Sequence, residues 1–132
     1  MATRGTWHGR ELPSDLLSPE KWRESEGWRF GVDLWNNGFV WEAWEVWEGL
    51  WRQAREANPV QARFLQGLVM LAGACVQGDR GRSGAEEALF RSGLLKMQSV
   101  RAEAGPAFMG VALDGVIAAL EEGRVPSQLF LE

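Results

Sequence analysis

The residues between Phe64 and Val76 constrain the fold more than any other part of the chain, because Gln66 is the only strongly polar side chain among them. A helix that is apolar around its whole circumference is buried on all sides. Asn58-Pro59 precedes this stretch, and a capping residue followed by proline is a helix start signal. We therefore expect a central helix from Pro59 to about Gln77, surrounded by the rest of the chain.

A second helix, expected from about Phe39 to Ala57, carries much of the aromatic bulk. The chain has eight Trp and no Tyr, and four of these Trp recur in this stretch at intervals of three, three and four residues: Trp41, Trp44, Trp47 and Trp51. At about 100° per residue they fall on one side of a helix. We expect this helix also to be central, with one acidic strip formed by Glu42, Glu45 and Glu48.

Three further helices complete the predicted fold. We expect one from Pro19 to about Asn36 with a break near Glu24, one from Ser83 to about Arg101 opened by a Ser83/Glu86 capping box, and one around Met109 to Leu120. Alternating apolar and polar runs are absent, so no strand is expected. The predicted fold class is all-α, a single compact bundle of about five helices. Its expected parts are an irregular arm over 1–17, the bundle over 18–123 and a C-terminal tail over 124–132.

The composition of the chain excludes several classes of function. The 132 residues suit one domain, and the net charge of −4 argues against a general nucleic-acid-binding protein. Cys75, the single cysteine, excludes an internal disulfide and a multi-thiolate metal site and is expected to be a small core residue. The longest apolar run, residues 67–76, is too short to span a membrane, and the first residues lead into no signal-peptide pattern. We expect a soluble cytoplasmic protein.

The acidic strip is the first candidate site. Carboxylates three residues apart share a helix face, so two of Glu42, Glu45 and Glu48 could hold a cation or act as an acid–base pair. A solvated acidic face is the simpler interpretation. The only histidine, His8, lies in the predicted arm, so the strip has no Glu-x-x-His partner of the kind found in helical di-metal sites. Gln66 could bond to Glu42 or Glu45, although a backbone or solvent contact is equally expected.

The indoles are the second candidate site. Core packing is the simpler interpretation of the Trp stripe, yet not all eight indoles need fit inside a core of this size. A partly exposed cluster of Trp is typical of an interface, and indoles also bind cations. The candidate interface residues are Trp41, Trp44 and Trp51.

Two stretches resemble a known family. Residues 33–51, DLWNNGFVWEAWEVWEGLW, and 62–68, ARFLQGL, are similar to the domain-of-unknown-function family 309, small all-helical proteins of bacteria and archaea. The family pattern is aromatic–Asn–x–Gly, then Glu–Ala–His–Glu–x–Trp–Glu, then a Phe-Leu-Gln-Gly-Leu-like helix. Its signature positions correspond here to Asn36, Gly38, Glu42, Glu45, Trp47, Glu48, Gln66 and Gly67, and Trp44 stands where the family has His. The resemblance implies a compact helical bundle and no particular reaction.

Together these observations predict a non-enzymatic binding or assembly module with a polar site between helices, lined by Glu42, Trp44, Glu45, Glu48, Gln66 and Asn36. Its partner would be another protein or a second copy of the chain; nucleic acid is not expected as a partner, and neither a cofactor nor a metal ion is expected. The alternative is a metal-binding protein or acid–base enzyme that uses Glu42, Glu45 and Glu48.

Overall fold

The computed structural model describes residues 15–132 and the backbone of 6–7 and 10–11. A short 3-10 helix, Pro19–Glu24, precedes five α-helices: α1 (Glu26–Asn36), α2 (Val40–Ala57), α3 (Pro59–Asp79), α4 (Ser83–Ala104) and α5 (Leu113–Glu121). Two antiparallel hairpins pair β1 (Thr6–Trp7) with β2 (Arg10–Glu11), and β3 (Ala107–Phe108) with β4 (Val111–Ala112). The predicted all-α bundle is confirmed. His8 and most of the predicted arm lie outside the described residues.

The helices pack around α2 and α3, as predicted. α3 lies against both α2 and α4, and α2 also lies against α1. The core centres on Trp28, Trp47 and Phe64, whose side chains are fully buried. The ring of Trp28 lies 6.4 Å from that of Trp47 and 5.5 Å from that of Phe64, measured between centroids. Rings from three successive helices therefore meet at one point of the core.

Helix α3 has the length and composition of a membrane-spanning helix, although its continuous apolar run is short. In its most apolar window of 18 residues, 61% of the residues are buried inside the fold. Burial of that extent is typical of the core helix of a soluble protein. Asn58 caps this helix as predicted, because its side chain accepts a hydrogen bond from the backbone N–H of Gln61 at 2.9 Å.

The first predicted helix is interrupted where its break was expected. Ser25 separates the 3-10 helix from α1 and caps α1 by accepting from the backbone N–H of Trp28 at 3.4 Å. Its hydroxyl also donates to the carbonyl of Asp15 at 3.1 Å. At the other end, Gly38 adopts a φ of 84° in the turn to α2, a conformation that glycine accepts without steric cost.

Two local predictions were wrong. The Ser83/Glu86 capping box does not form, because the cap position falls on Arg82 and Ser83 is already helical. The last helix begins at Leu113, since Met109 lies instead in the turn between β3 and β4, where no strand was expected. Met109 and Gly110 both have positive φ, 49° and 81°, as a two-residue hairpin turn requires.

The C-terminal tail, residues 124–132, runs back across the end of α1. The indole N–H of Trp35 donates to the carbonyl of Pro126 at 3.0 Å. Leu129 is buried, and Leu131 forms an isolated antiparallel bridge with Val111 of β4. The tail is therefore an extended segment packed on the bundle.

Candidate functional site

The acidic strip does not converge on one point. Each step of three residues turns the helix back by about 60°, so the three carboxylates spread over about 120° of the circumference of α2. Glu48 pairs with Arg52 at 2.8 Å, and Glu45 accepts from the indole N–H of Trp41 at 2.9 Å. Glu42 is half-buried and makes no hydrogen bond or ion pair with another described residue. The three acids thus have three different environments.

The strip gives the metal-binding alternative no support. In the part of the chain that the structure describes, no group of three or more His, Cys, Asp or Glu side chains is placed to hold a metal ion. Hard cations in proteins need several oxygen ligands around one point. Glu48 and Glu45 are instead directed to an arginine and to an indole.

Gln66 is half-buried on α3 and has no hydrogen bond to Glu42, Glu45 or any other described residue. The buried glutamine of this helix is Gln61, which is 2% exposed. Its amide donates to the carbonyl of Leu17 at 2.9 Å and contacts the sulfur of Met109 at 3.5 Å. Sequence reasoning missed Gln61, although it lies three residues before Phe64 and four before Leu65 and so shares their buried face.

Trp44 and Glu42 do not line one pocket. Two residues apart on a helix, they point about 160° away from each other. Trp44 is half-buried, and its indole nitrogen is buried without a described partner, as is that of Trp47. The position at which the family has His therefore presents an indole N–H that is buried without a described partner.

Among the indoles whose side chains the structure describes, that of Trp41 is the most exposed. It is 43% exposed, yet three neighbours hold it. The carboxylate of Glu45 accepts from its N–H, the ring of Trp44 meets it edge-on at 5.0 Å, and the guanidinium of Arg80 lies 5.3 Å from its centroid. We call Trp41, Glu45 and Arg80 the Trp41 surface. Trp51, the third candidate interface residue, is half-buried. The guanidinium of Arg55 lies 5.0 Å from the centroid of its ring.

Asn36, also a predicted site residue, holds the tail. Its amide donates to the carbonyl of Leu129 at 2.8 Å, and its oxygen accepts from the N–H of Leu129 at 2.7 Å. The side chain of Gln128 donates to the carbonyl of Asn36 at 2.8 Å. Asn36 therefore binds an extended backbone as a neighbouring strand would.

A cavity of about 310 Å³ lies between the tail and the helices, bordered by Trp35, Asn36, Val40, Cys75 and residues 125–128. Burial raises the pKa of the Cys75 thiol, and the negative charges of Asp79 and Glu86 raise it further. A raised pKa keeps the thiol protonated at neutral pH, and the thiolate is the reactive form. The Cys75 side chain therefore lines the cavity as a protonated, unreactive thiol.

Comparisons with known proteins agree with the sequence patterns. A family model described as "Domain of unknown function (DUF309)" matches residues 28–88, which run from α1 into α4 and include Asn36 and all of α2 and α3. No curated protein and no solved structure matches the chain. The resemblance seen in the motifs is confirmed as a match of residues 28–88 to this family model, and the function of that family is unknown.

Proposed function

We propose that the protein is a non-enzymatic binding module and that the Trp41 surface receives a basic segment of a protein partner. The observation that carries this proposal is the exposed but immobilised indole of Trp41, with Glu45, Trp44 and Arg80 around it. Trp and Arg are the residues most enriched at the energetic centres of interfaces. An indole that is already held in place loses little conformational entropy when a partner covers it.

The charges around Trp41 favour a basic partner. Glu45 is bonded to a neutral indole, and Glu42 has no ion pair with a described residue, so no described basic side chain pairs with either carboxylate. Glu48, in contrast, is paired with Arg52. The whole chain also carries a net charge of −4. A basic segment gains long-range attraction from this distribution, which mainly raises its association rate.

The contact between Arg80 and Trp41 also supports a partner with basic side chains. A guanidinium already lies over the indole ring. Arginine and lysine are attracted to the face of an aromatic ring, and a nearby carboxylate adds a charge-assisted hydrogen bond. A partner's Arg or Lys would use the ring of Trp41 together with the carboxylate of Glu45, in competition with Arg80.

Binding of a labelled peptide tests this proposal. The probe is a fluorescein-labelled peptide of alternating Arg and Leu, and the control probe alternates Glu and Leu at the same length. We expect the chain to bind the basic peptide alone, and Trp41→Ala or Glu45→Gln to weaken that binding at least fivefold by fluorescence polarisation. Leu95→Ala, which removes an exposed apolar side chain of α4, is the matched control and should change nothing. Equal binding of both peptides, or equal affinity in all variants, would contradict the proposal.

A second copy of the chain is the other occupant to examine. Native mass spectrometry of the wild type and of Trp41→Ala separates the two cases. A dimer that disappears in Trp41→Ala would assign the Trp41 surface to self-association and overturn the proposal of a basic partner.

A further inference from the structure

We propose that the cavity between the tail and the helices binds a small uncharged molecule that has one or two rings and a single hydroxyl group. We call it the tail cavity, and its lining consists of Trp35, Asn36, Gly38, Val40, Cys75 and residues 125–128. Its volume of about 310 Å³ lies at the lower end of the range for small-molecule pockets, roughly 300–1,000 Å³. The proposal concerns this cavity alone and does not depend on the Trp41 surface.

The inner lining of the tail cavity is apolar. Trp35 of α1 is 5% exposed, and Val40 of α2 and Cys75 of α3 are half-buried. Val125 and Pro126, also half-buried, line it from the tail. A thiol that stays protonated behaves as a small apolar group. Three helices and the tail therefore border a mainly apolar space, which is the usual character of a ligand pocket.

The polar side chains of the lining are mostly bonded within the fold. The indole N–H of Trp35 donates to the carbonyl of Pro126, and both the nitrogen and the oxygen of the Asn36 amide are bonded to Leu129. The amide nitrogen of Gln128 donates to the carbonyl of Asn36. No charged side chain is among the described residues that line the cavity. A charged ligand would lose its hydration there without gaining an ion pair, so the lining favours an uncharged one.

The mouth of the tail cavity is open to solvent. Gly38, Ser127 and Gln128 are the exposed members of the lining. A Cβ atom at Gly38 would meet nothing within 4 Å, so no described residue obstructs entry beside it. The hydroxyl of Ser127 makes no hydrogen bond with another described residue. A ligand hydroxyl placed at the mouth has Ser127 as its partner, while the rings of the ligand lie against the apolar lining.

Binding in this cavity is coupled to the tail. Residues 125–128 belong to its lining, so a bound ligand contacts both the tail and the helices. A ligand that binds only the arrangement with the tail in place stabilises that arrangement. The Leu129 N–H, which donates to Asn36, reports on this arrangement. We expect its hydrogen to exchange at least threefold more slowly at ligand concentrations several times Kd.

Calorimetric titration with a matched pair of probes tests the chemistry of the ligand. Beta-naphthol has two fused rings and one hydroxyl group, and beta-naphthalenesulfonate has the same rings with a negative charge. We expect beta-naphthol to bind as one molecule per chain and the sulfonate to bind at least tenfold more weakly. The absence of beta-naphthol binding overturns the proposal, and so does an equal affinity for the two probes.

Substitutions at two valines test the location of the ligand. Val40→Phe places a larger side chain in the cavity and should weaken the binding of beta-naphthol at least tenfold. Val60→Phe is the matched control, because Val60 is also a half-buried valine in the first turn of a helix but lies at the other end of α3 from Cys75. Both Val60→Phe and Trp41→Ala should bind the probe as the wild type does.

Circular dichroism establishes that each variant is folded, and Cys75→Leu replaces Val40→Phe if the latter is not. Undiminished binding in the folded variant, Val40→Phe or Cys75→Leu, overturns the proposal. An equal loss in Val60→Phe or Trp41→Ala also overturns it, because the probe would then bind outside the cavity.

Nuclear magnetic resonance of the unmodified chain provides an independent measurement. Protons of the bound beta-naphthol rings should show nuclear Overhauser effects to the methyl groups of Val40 and Val125 and none to those of Val60. The Leu129 N–H should exchange more slowly in the same sample. Contacts to Val60 alone, or an unchanged exchange rate at Leu129, would overturn the proposal.

Discussion

Asn36 and Leu129 are joined by two hydrogen bonds, of 2.8 and 2.7 Å, although 93 residues separate them in the chain. One amide side chain thus satisfies both main-chain groups of a residue in the tail. The same asparagine stands at a signature position of the family resemblance, where the sequence indicated a ligand site. In the structure its partner is the chain itself.

Asn36→Ala should lower the free energy of unfolding by about 1–3 kcal/mol, because it leaves the N–H and the carbonyl of Leu129 without their partner. Asn37→Ala is the matched control, since Asn37 only donates to the carbonyl of Asp33 on the surface. It should change stability by no more than about 0.5 kcal/mol. Urea unfolding of both variants measures the difference. Equal losses would show that the two bonds from the Asn36 side chain to Leu129 contribute no measurable stability.

Gly31→Ala should destabilise the fold by about 1–3 kcal/mol, the usual cost of an overpacked core. A Cβ atom at Gly31 would lie 2.6 Å from the indole nitrogen of Trp47, and both residues are buried. Gly49→Ala on α2 is the opposite case, because its Cβ would meet nothing within 4 Å. It should stabilise the chain by about 0.5–1 kcal/mol through helix propensity. Thermal unfolding distinguishes the two, and a neutral Gly31→Ala would contradict the close contact.

The bundle was predictable from the sequence because its signals are local or periodic. The Asn58-Pro59 cap and the apolar stretch from Phe64 to Val76 each predict an element on their own, and both predictions hold. The β3–β4 hairpin was missed, because Met109 in its turn adopts a positive φ that its residue type disfavours. The carbonyl of Met109 accepts from the buried indole N–H of Trp28 at 3.1 Å. That contact joins residues 81 positions apart, and no local pattern contains it.

The candidate site was harder to predict than the fold, because residue types indicate what a side chain can do and not where its partner lies. Trp41 and Glu45 are four residues apart, so helical spacing alone brings them together. The partner of Asn36 is in the tail and the partner of Gln61 is Leu17, and both contacts depend on the tertiary fold. The hydrogen bond considered between Gln66 and Glu42 or Glu45 does not form in the structure. Whether it forms also depends on how α2 and α3 pack, which no local pattern contains.

Gln61→Ala should cost about 1–3 kcal/mol, because it leaves the carbonyl of Leu17 without its donor and opens a space beside Met109. Gln66→Ala is the matched control on the same helix. Gln66 is half-buried without a described hydrogen bond, so its removal should change stability by no more than about 0.5 kcal/mol. Limited proteolysis adds a local measurement, since cleavage near Leu17 should accelerate only in Gln61→Ala. Equal behaviour of the two variants would mean that Gln61 does not anchor this segment.

Cys75 predicts a specific dependence of stability on pH. Burial, together with Asp79 and Glu86, raises the pKa of its thiol in the folded state, so folding favours the protonated form. The resulting stabilisation is fully present below the pKa of an unfolded thiol, about 8.5, and is lost as the pH rises towards the raised folded pKa. Cys75→Ala has no such group. The stability of the wild type relative to Cys75→Ala should therefore be constant from about pH 6 to 8 and fall above about pH 8.5, as measured by urea unfolding across that range. Parallel curves for the two proteins above pH 8.5 would show that the thiol ionises as easily in the fold as in the unfolded chain.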